Sequence, residues 1–287
     1  MGEVREHGLL DRASGLGLHG HACWPYDDDA EMRQALVDFL TDGLRLKQRL
    51  IYVGSGSVEE LREDIGALPQ RHALVEMGML QILSLDDVYS PGEPTDPEEQ
   101  LATYAAATEQ ALADRYTGLR VGAKVTALVD DPAGWSAHTR WEALADEYMA
   151  THPLAALCLY DARALPGEIV SDLTSVHPVA HRCGSSAPFR LYSGDDCLEL
   201  EGEVDYFSAP TFRRALAAAA PPDRDTVLDL SRLRFGDHHA VMALTDPGPA
   251  RLRLRNVPGR VVRIAQLLDV ALPSEERKGD DVHDHTV

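Results

Sequence analysis

The amino-acid sequence predicts an α/β protein in which a mostly parallel N-terminal sheet with helices on both faces is followed by a smaller C-terminal α/β domain. Short apolar runs alternate with stretches whose apolar residues recur at helical spacing, a pattern typical of parallel sheets. With 287 residues, 44% of them hydrophobic, the chain is long enough for two modest cores. A loss of periodicity between residues 176 and 188 indicates a linker, placed at 183–187, and the charged end at 274–287 is predicted to be flexible.

The charge of the chain limits its partners. Acidic residues outnumber basic ones, 47 to 27, which gives a formal net charge of -20. This charge repels phosphate backbones and anionic membranes, so we expect no nucleic acid and no membrane contact. The sequence lacks a basic start with an apolar core and any apolar run near the roughly 20 residues that span a bilayer, which predicts a cytoplasmic location. The four cysteines lie far apart without a CxxC pair, which indicates neither a disulfide framework nor a local zinc knuckle.

The first elements follow from capping residues and apolar spacing. Repeated glycines without periodicity predict a loosely ordered leader through about Gly20. The stretch 21–26 is predicted to be a short strand that leads into a helix, whose apolar face begins at Met32. Asp28 and Glu31 have the spacing of a capping box for this helix.

A strand, a glycine turn and a helix are predicted next. Residues 49–54 form a short apolar run that ends at a glycine, which is typical of a buried strand. Ser57 and Glu60 then form a second capping box. The remaining elements of this half are strands at 80–85, 119–128 and 154–161, helices at 98–116 and 135–149, and a loop at 91–97.

A ligand site is predicted where the first and last strands of this sheet end. Ligands of parallel sheets lie outside the carboxyl ends of the strands. If the strands at 21–26 and 154–161 are neighbours, their side chains line one pocket. A structural role in the core stays open for each residue, since single buried Cys and His residues usually pack as core groups. The predicted ligand-binding residues are His21, Cys23, Tyr26, Cys158, Tyr160 and Asp161.

The segment that breaks the periodicity contains a possible set of metal ligands. His177, His181 and Cys183 carry the N and S donors that zinc accepts. The fourth ligand is missing and the spacing fits no common zinc motif, so the sequence predicts neither a bound metal nor a cofactor.

The second half has the pattern of a smaller α/β unit. Alternating apolar residues at 189–192 and 197–201, joined by a turn at 193–196, predict a pair of strands. Helices are predicted at 211–220, from His238 to about Leu244 and at 261–270, and strands at 226–230 and 251–257.

Three segments of the first half carry a family resemblance. They are Gly-His-Ala-Cys-Trp-Pro-Tyr at 20–26, Cys-Leu-Tyr-Asp at 158–161 and His-Pro at 177–178. Together they resemble the methanogen/methylotroph sensory (MEDS) domain over residues 15–182. The resemblance implies a cytoplasmic sensor module that binds small hydrocarbon-like molecules, with a layout similar to RecA/KaiC-type ATPase domains.

The phosphate-binding chemistry of those ATPases is missing. Their first strand leads into a GxxxxGK[ST] loop, whose backbone N–H groups and Lys hold phosphates. Here the matching place contains Pro25, which lacks an N–H group, followed by the carboxylates of Asp27, Asp28 and Asp29. ATP hydrolysis is therefore not predicted.

The second half resembles another family. Segments 198–205, 209–210, 227–231 and 235–237 look like a STAS domain of the anti-sigma-factor-antagonist type, over residues 188–273. The resemblance implies an anti-sigma factor or another STAS protein as partner.

The STAS resemblance departs from its family at the regulatory loop. That family usually has Asp-Ser-Ser-Gly, with a phosphorylated Ser at a helix start, whereas this chain has Asp237, His238, His239 and Ala240. The helix is also short, because Pro247 follows it closely. Asp237, His238 and His239 are therefore predicted to contact a partner without phosphorylation.

Three functional hypotheses follow. The leading one is a non-enzymatic signal-transduction regulator, which senses a small molecule and engages a regulatory protein. The second is a scaffold whose domains bind proteins without a ligand, with homo-oligomerisation left open. The third is an enzyme whose nucleophile is Cys23, activated by His21 or His181. The acidic neighbours of Cys23 disfavour its thiolate and so weigh against this third hypothesis.

Overall fold

The computed structural model describes residues 5–89, 96–182 and 187–273, and the chain divides between Ala187 and Pro188 into two compact units. Most of the predicted loop at 91–97, most of the linker and the whole tail lie outside the described residues. Within the described ranges, no helix has both the length and the apolar character needed to cross a membrane.

The first unit is built on a parallel sheet of seven strands. They are β1 (Gly8–Leu10), β2 (His21–Tyr26), β3 (Arg49–Gly54), β4 (Leu80–Ser84), β5 (Leu119–Lys124), β6 (Leu154–Asp161) and β7 (Val179–His181). Their order across the sheet is β1-β7-β2-β6-β5-β3-β4, and every neighbouring pair is parallel. Strands β2 and β6 therefore lie in the interior of the sheet, where both faces are covered.

Helices cover both faces of this sheet. They are α1 (Asp29–Arg45), α2 (Val58–Asp64), α3 (Arg71–Glu76), α4 (Leu85–Val88), α5 (Pro97–Ala113), α6 (Pro132–Thr151) and α7 (Gly167–Ser175), with a 3-10 helix at Thr126–Val129. Side chains alternate between the faces of a strand, and this alternation produces two cores. Trp24 of β2 packs in one core with Leu36 of α1, and Cys23 packs in the other with Trp141 of α6.

The predicted caps are present, one of them in part. Asp28 caps α1 by accepting a hydrogen bond from Ala30 N at 2.8 Å. Glu31 does not complete a capping box but lies 3.2 Å from His181 Nε2 as an ion pair. Ser57 and Glu60 form the full reciprocal box at the start of α2.

The prediction of a loosely ordered leader is wrong for residues 5–20. Strand β1 pairs in register with β7, and the side chain of Leu16 is buried. Arg5 forms an ion pair with Asp146 of α6. The order of this segment comes from contacts with residues more than a hundred positions away, which local periodicity does not report. The same holds for β7, which lies within the stretch whose periodicity breaks.

The second unit has a mixed sheet of five strands. They are β8 (Phe189–Ser193), β9 (Leu198–Val204), β10 (Asp225–Asp229), β11 (Leu233–Gly236) and β12 (Arg251–Arg255), with helices α8 (Ala209–Ala219), α9 (His238–Thr245) and α10 (Gly259–Leu268). Strand β9 pairs antiparallel with β8 and parallel with β10 and β11, and β12 pairs parallel with β10. The parallel sheet of the first unit and this smaller unit confirm the predicted fold class.

Candidate functional site

The predicted site residues occupy two places. Strands β2 and β6 are parallel neighbours, with Cys23 opposite Cys158 and Tyr26 opposite Asp161. Alternation sends Cys23 and Cys158 into the core beneath α6, while Tyr26 packs in the core on the α1 face. His21 and Tyr160 lie on the α6 side, and Asp161 joins Tyr26 at the strand ends. The strands are neighbours as expected, but their side chains do not line a single pocket.

A group of four titratable side chains is enclosed on the α6 side. It consists of His21 from β2, Glu142 from α6, Cys158 from β6 and His177 just after α7, and all four residues are buried. We call this group the buried cluster. Its donor atoms all lie within 4.8 Å of one another.

The donor atoms of the buried cluster face a common centre. His21 Nε2 lies 3.2 Å from Glu142 Oε2. Cys158 Sγ lies 3.5 Å from the same oxygen and 3.7 Å from His21 Nε2. His177 Nε2 is 3.5 Å from Glu142 Oε2, but this contact lacks hydrogen-bond geometry. This nitrogen is therefore buried without a hydrogen-bond partner among the described residues.

Both imidazoles are held by their other nitrogen. His21 Nδ1 donates to Asp146 Oδ1 at 3.0 Å, and Asp146 in turn pairs with Arg5. His177 Nδ1 donates to the backbone oxygen of Leu173 at 2.7 Å. These bonds fix the ring orientations and direct each Nε2 towards the other donors.

The second oxygen of Glu142 is also occupied. Tyr160 donates its hydroxyl hydrogen to Glu142 Oε1, and His138 Nε2 lies 3.0 Å from the same atom. Burial opposes the charge of Glu142, yet the nearby imidazoles of His177, His138 and His21 outweigh burial and hold the pKa of this carboxyl well below its usual range. Glu142 is therefore a carboxylate at neutral pH.

Burial also shifts the pKa values of the other three members of the cluster. Burial lowers the pKa of His177, and the charge of His21 lowers it further. Burial acts in the same direction on His21, but contacts with Asp146 and Glu142 outweigh it and raise the pKa of this imidazole. Burial, followed by the Glu142 charge, raises the pKa of the Cys158 thiol well above its usual range. The cluster thus combines a carboxylate with a protonated thiol and two imidazoles.

A small cavity borders the buried cluster. Its volume is about 30 Å³. Its wall is mostly apolar, and its polar residues include Glu142, Cys158, His138, Tyr89 and Tyr104. The lining residues are Tyr89, Tyr104, Val121, Ala123, Val125, His138, Trp141, Glu142, Ala145, Met149, Leu154, Ala156 and Cys158.

A larger, open cavity lies at the carboxyl ends of the strands, and we call it the strand-end cleft. Its volume is about 610 Å³, and Tyr26 and Asp161 line it. Asp64 accepts hydrogen bonds there from Lys124 Nζ at 2.6 Å and from Tyr52 OH at 2.7 Å.

The remaining cations of the strand-end cleft are paired as well. Arg163 contacts Asp161 at 2.7 Å and Asp29 at 2.6 Å. Arg33 Nε lies 3.2 Å from Asp64 Oδ1. Each of the three cations of this cleft therefore pairs with a carboxylate, and Asp130 is a fourth carboxylate in the lining.

Comparison with known families places the buried cluster inside one of them. Residues 20–178 match the model of the methanogen/methylotroph, DcmR sensory domain, abbreviated MEDS. The chain belongs to the MEDS family. The match covers more than half of the chain and includes every residue of the buried cluster. No curated protein matches the chain. The predicted MEDS resemblance is thus confirmed, whereas the RecA-like layout and the STAS resemblance stay predictions.

Sequence reasoning missed two carboxylates of the MEDS domain. Glu142 and Asp146 lie on the buried face of α6, together with His138. The three titratable residues are spaced by four, so they share one face of a helix that was predicted at 135–149. Polar residues repeated on one helical face were the available signal.

The alternative metal set of the sequence does not form. His177 belongs to the buried cluster, whereas His181 stacks on Trp24, with 3.9 Å between the ring centres, and pairs with Glu31. Cys183 lies outside the described residues.

The predicted partner residues cluster at the start of α9. Asp237 caps this helix by accepting hydrogen bonds from His239 N at 2.7 Å and from Ala240 N at 3.3 Å. The ring of His239 contacts Tyr206, and the neighbouring Phe207 is 84% exposed. We call Tyr206, Phe207, His238 and His239 the aromatic surface.

Proposed function

We propose that the chain is a cytoplasmic, non-enzymatic signalling regulator whose MEDS domain senses a small, weakly polar molecule. The observation that carries this proposal is the small cavity beside the buried cluster. Ligand sites typically combine apolar walls with a few placed polar groups, and this cavity has both. Membership of a sensory-domain family supports the same function.

The size and lining of the cavity favour a ligand of few atoms. Enclosed apolar cavities bind apolar guests such as xenon because water gains little there. A thiol, a carboxylate and an imidazole at one end of the wall, from Cys158, Glu142 and His138, would orient a guest that carries one polar or polarisable group. This agrees with the small hydrocarbon-like ligands that the family resemblance implies.

A cavity-filling variant tests the sensing proposal. Ala145 lines the cavity from α6, so Ala145→Leu would occupy its space. We expect xenon and chloroform to raise the Tm of the wild-type protein, since a ligand at ten times its Kd stabilises by about 1.4 kcal/mol, which corresponds to several degrees. Ala145→Leu should lose this shift.

The matched control is Ala35→Leu, which enlarges a buried helical alanine in the core on the opposite face. It should keep the shift despite its own cost in stability. Equal shifts in the wild-type and in Ala145→Leu would exclude the cavity as the ligand site.

The second unit is proposed to bind a regulatory protein through the aromatic surface. An exposed apolar patch beside polar groups is typical of protein-binding sites, and Tyr206 is 62% exposed. The STAS resemblance implies an anti-sigma factor or another STAS protein as the partner. Since α9 begins with His238 and His239 rather than Ser, docking would not depend on phosphorylation.

Cross-linking in cells tests this surface. We expect a partner captured by the wild-type chain to be lost in Phe207→Ser. The control is Leu267→Ser, because Leu267 is 72% exposed but lies on α10. Capture that survives Phe207→Ser, or a cross-linked product that contains only copies of this chain, would contradict the proposed docking.

The scaffold hypothesis and the enzyme hypothesis can each be tested separately. In a ligand-independent scaffold, the Ala145→Leu variant would capture its partner with or without chloroform as the wild-type does. The environment of Cys23 is unfavourable for a cysteine-dependent enzyme. Burial first, and then the Glu142 charge, raises the pKa of its thiol, and its Sγ lies 4.0 Å from Thr174 Oγ1. Loss of cellular function in Cys23→Ser with an intact fold would favour the enzyme.

A further inference from the structure

We infer that the buried cluster binds one divalent transition-metal ion, with His21 Nε2, His177 Nε2, Cys158 Sγ and Glu142 Oε2 as ligands. The inference stands on the arrangement of these atoms and does not depend on the sensing proposal. It revises the prediction of no metal, which considered only His and Cys residues close to one another in the sequence.

Four of the six distances between the donor atoms are close to the edges of a tetrahedron around zinc. With bonds of about 2.0–2.1 Å to N, 2.3 Å to S and 2.1 Å to O, tetrahedral angles place N and O about 3.4 Å apart and S about 3.6 Å from either. The two N–O separations to Glu142 are 3.2 and 3.5 Å. The sulfur of Cys158 lies 3.7 Å from His21 Nε2 and 3.5 Å from the Glu142 oxygen. The two remaining pairs, from His177 Nε2 to His21 Nε2 and to Cys158 Sγ, lie within 4.8 Å, so the four atoms are close enough together to bind one ion.

The unpartnered nitrogen of His177 points to the same conclusion. Buried polar atoms are nearly always hydrogen-bonded, because an unpaired one loses its hydration without compensation. His177 is fully buried, and its Nε2 lacks a hydrogen-bond partner among the described residues. Its Nδ1 is the bonded nitrogen, so the lone pair of Nε2 is directed at the cluster. A metal ion would satisfy this atom.

The surroundings supply the outer contacts that metal-binding histidines usually have. Such histidines donate their other N–H to a carboxylate or a backbone oxygen. His21 donates to Asp146, and His177 donates to Leu173 O. The second oxygen of Glu142 is held by Tyr160 and His138, which fixes the carboxylate in place.

The charge of the ligand set suits a divalent ion. Binding requires the Cys158 thiolate and a free lone pair on His21 Nε2, so the thiol proton and the proton that His21 Nε2 donates to Glu142 are both released to solvent as the bonds to the metal form. Cys158 and Glu142 then contribute two negative charges against the two positive charges of the ion. The mixture of sulfur, imidazole and carboxylate favours zinc or a neighbouring transition metal over Mg²⁺ or Ca²⁺, which prefer oxygen ligands. Since Glu142 and Cys158 also line the small cavity, the ion would lie at its wall.

Cobalt substitution tests the site in the full-length protein. Protein stripped with a chelator would be titrated with Co²⁺ and followed by absorption. We expect one equivalent to bind, with a thiolate-to-cobalt charge-transfer band and the intense visible bands of tetrahedral Co²⁺. Cys158→Ser should lose the charge-transfer band. His177→Gln should lower the affinity by more than the roughly 10- to 100-fold that loss of an outer contact costs.

Two controls make the result specific. Cys23→Ser changes a buried cysteine of the same core outside the ligand set and should keep both bands. The double variant His238→Ala and His239→Ala removes an exposed group that could also hold a metal, and the bands should again be unchanged. Absence of cobalt bands in the folded wild-type protein, or a charge-transfer band that persists in Cys158→Ser, would overturn the inference. No organic ligand is present in this experiment, so its failure leaves the sensing proposal standing.

Discussion

The buried cluster and the strand-end cleft are two polar regions of the MEDS domain, and they differ in how their charges are balanced. The cleft is open, with a volume of about 610 Å³, and its basic residues pair with carboxylates, as Lys124 does with Asp64. The cluster is enclosed, and His177 Nε2 is left there without a hydrogen bond. A large opening is therefore a weaker indication of a binding site than a group of neighbouring donor atoms of which one, His177 Nε2, lacks a hydrogen-bond partner among the described residues.

The largest expected difference between the two regions is in how much one substitution lowers the free energy of unfolding. Glu142 is a buried carboxylate that interacts with several imidazoles. In protein treated with a chelator to remove metal ions, Glu142→Gln should therefore lower the free energy of unfolding by about 3–5 kcal/mol. In the cleft, Asp161→Asn should have a much smaller effect, because Asp161 pairs with Arg163 near solvent. Urea denaturation of both variants measures the difference, and equal losses would remove the energetic distinction between the regions.

A smaller effect is expected from the outer contact of His21. Asp146→Asn keeps the size of the side chain but weakens its hold on His21 Nδ1. We expect Co²⁺ affinity to fall about 10- to 100-fold while the charge-transfer band of Cys158 is retained. Asp161→Asn serves again as the control and should leave the affinity unchanged. Loss of the band itself in Asp146→Asn would mean that the carboxylate does more than orient the imidazole.

Much of the scaffold of these regions was predictable, but their separation was not. The strand at β2 follows from a short run before a capped helix, and β6 follows from a continuous apolar run. The face onto which each side chain projects depends on position parity: Cys23 and Tyr26 are an odd number of residues apart and so enter different cores. Predicting that Glu142 meets His21 would also have required the order of the strands, which local patterns do not provide.

The pH dependence of stability should show how much the pairing of Asp64 in the cleft contributes to folding. Burial opposes the charge of Asp64, but hydrogen bonds from Lys124 and Tyr52 outweigh it and lower the pKa of this carboxyl below its ordinary value of 3.8. A lowered folded pKa adds stability that is present above the unfolded pKa and is lost as the pH falls through the folded one. Asp64→Asn should therefore be less stable than the wild-type at pH 7, and the gap should narrow below about pH 4.

Urea denaturation at pH 7 and at pH 3 measures this gap. Asp86→Asn, a change at an exposed carboxylate outside the cleft, controls for the general loss of a negative charge. A gap for Asp64→Asn that is constant with pH would mean that its pairing with Lys124 contributes nothing to folding.

The smallest effect is expected from a nucleotide at the strand-end cleft. Four carboxylates and three cations line this cleft, so its formal charge is negative and opposes a triphosphate, and Lys124 is already paired with Asp64. We expect millimolar Mg-ATP to change the Tm by no more than about 1 °C, since a ligand at or below its Kd stabilises by at most about 0.4 kcal/mol. Chloroform, measured in parallel, is the positive control. A rise in Tm of several degrees with Mg-ATP that is lost in Lys124→Ala would contradict this expectation. The open cleft would then be the ligand site despite its paired charges.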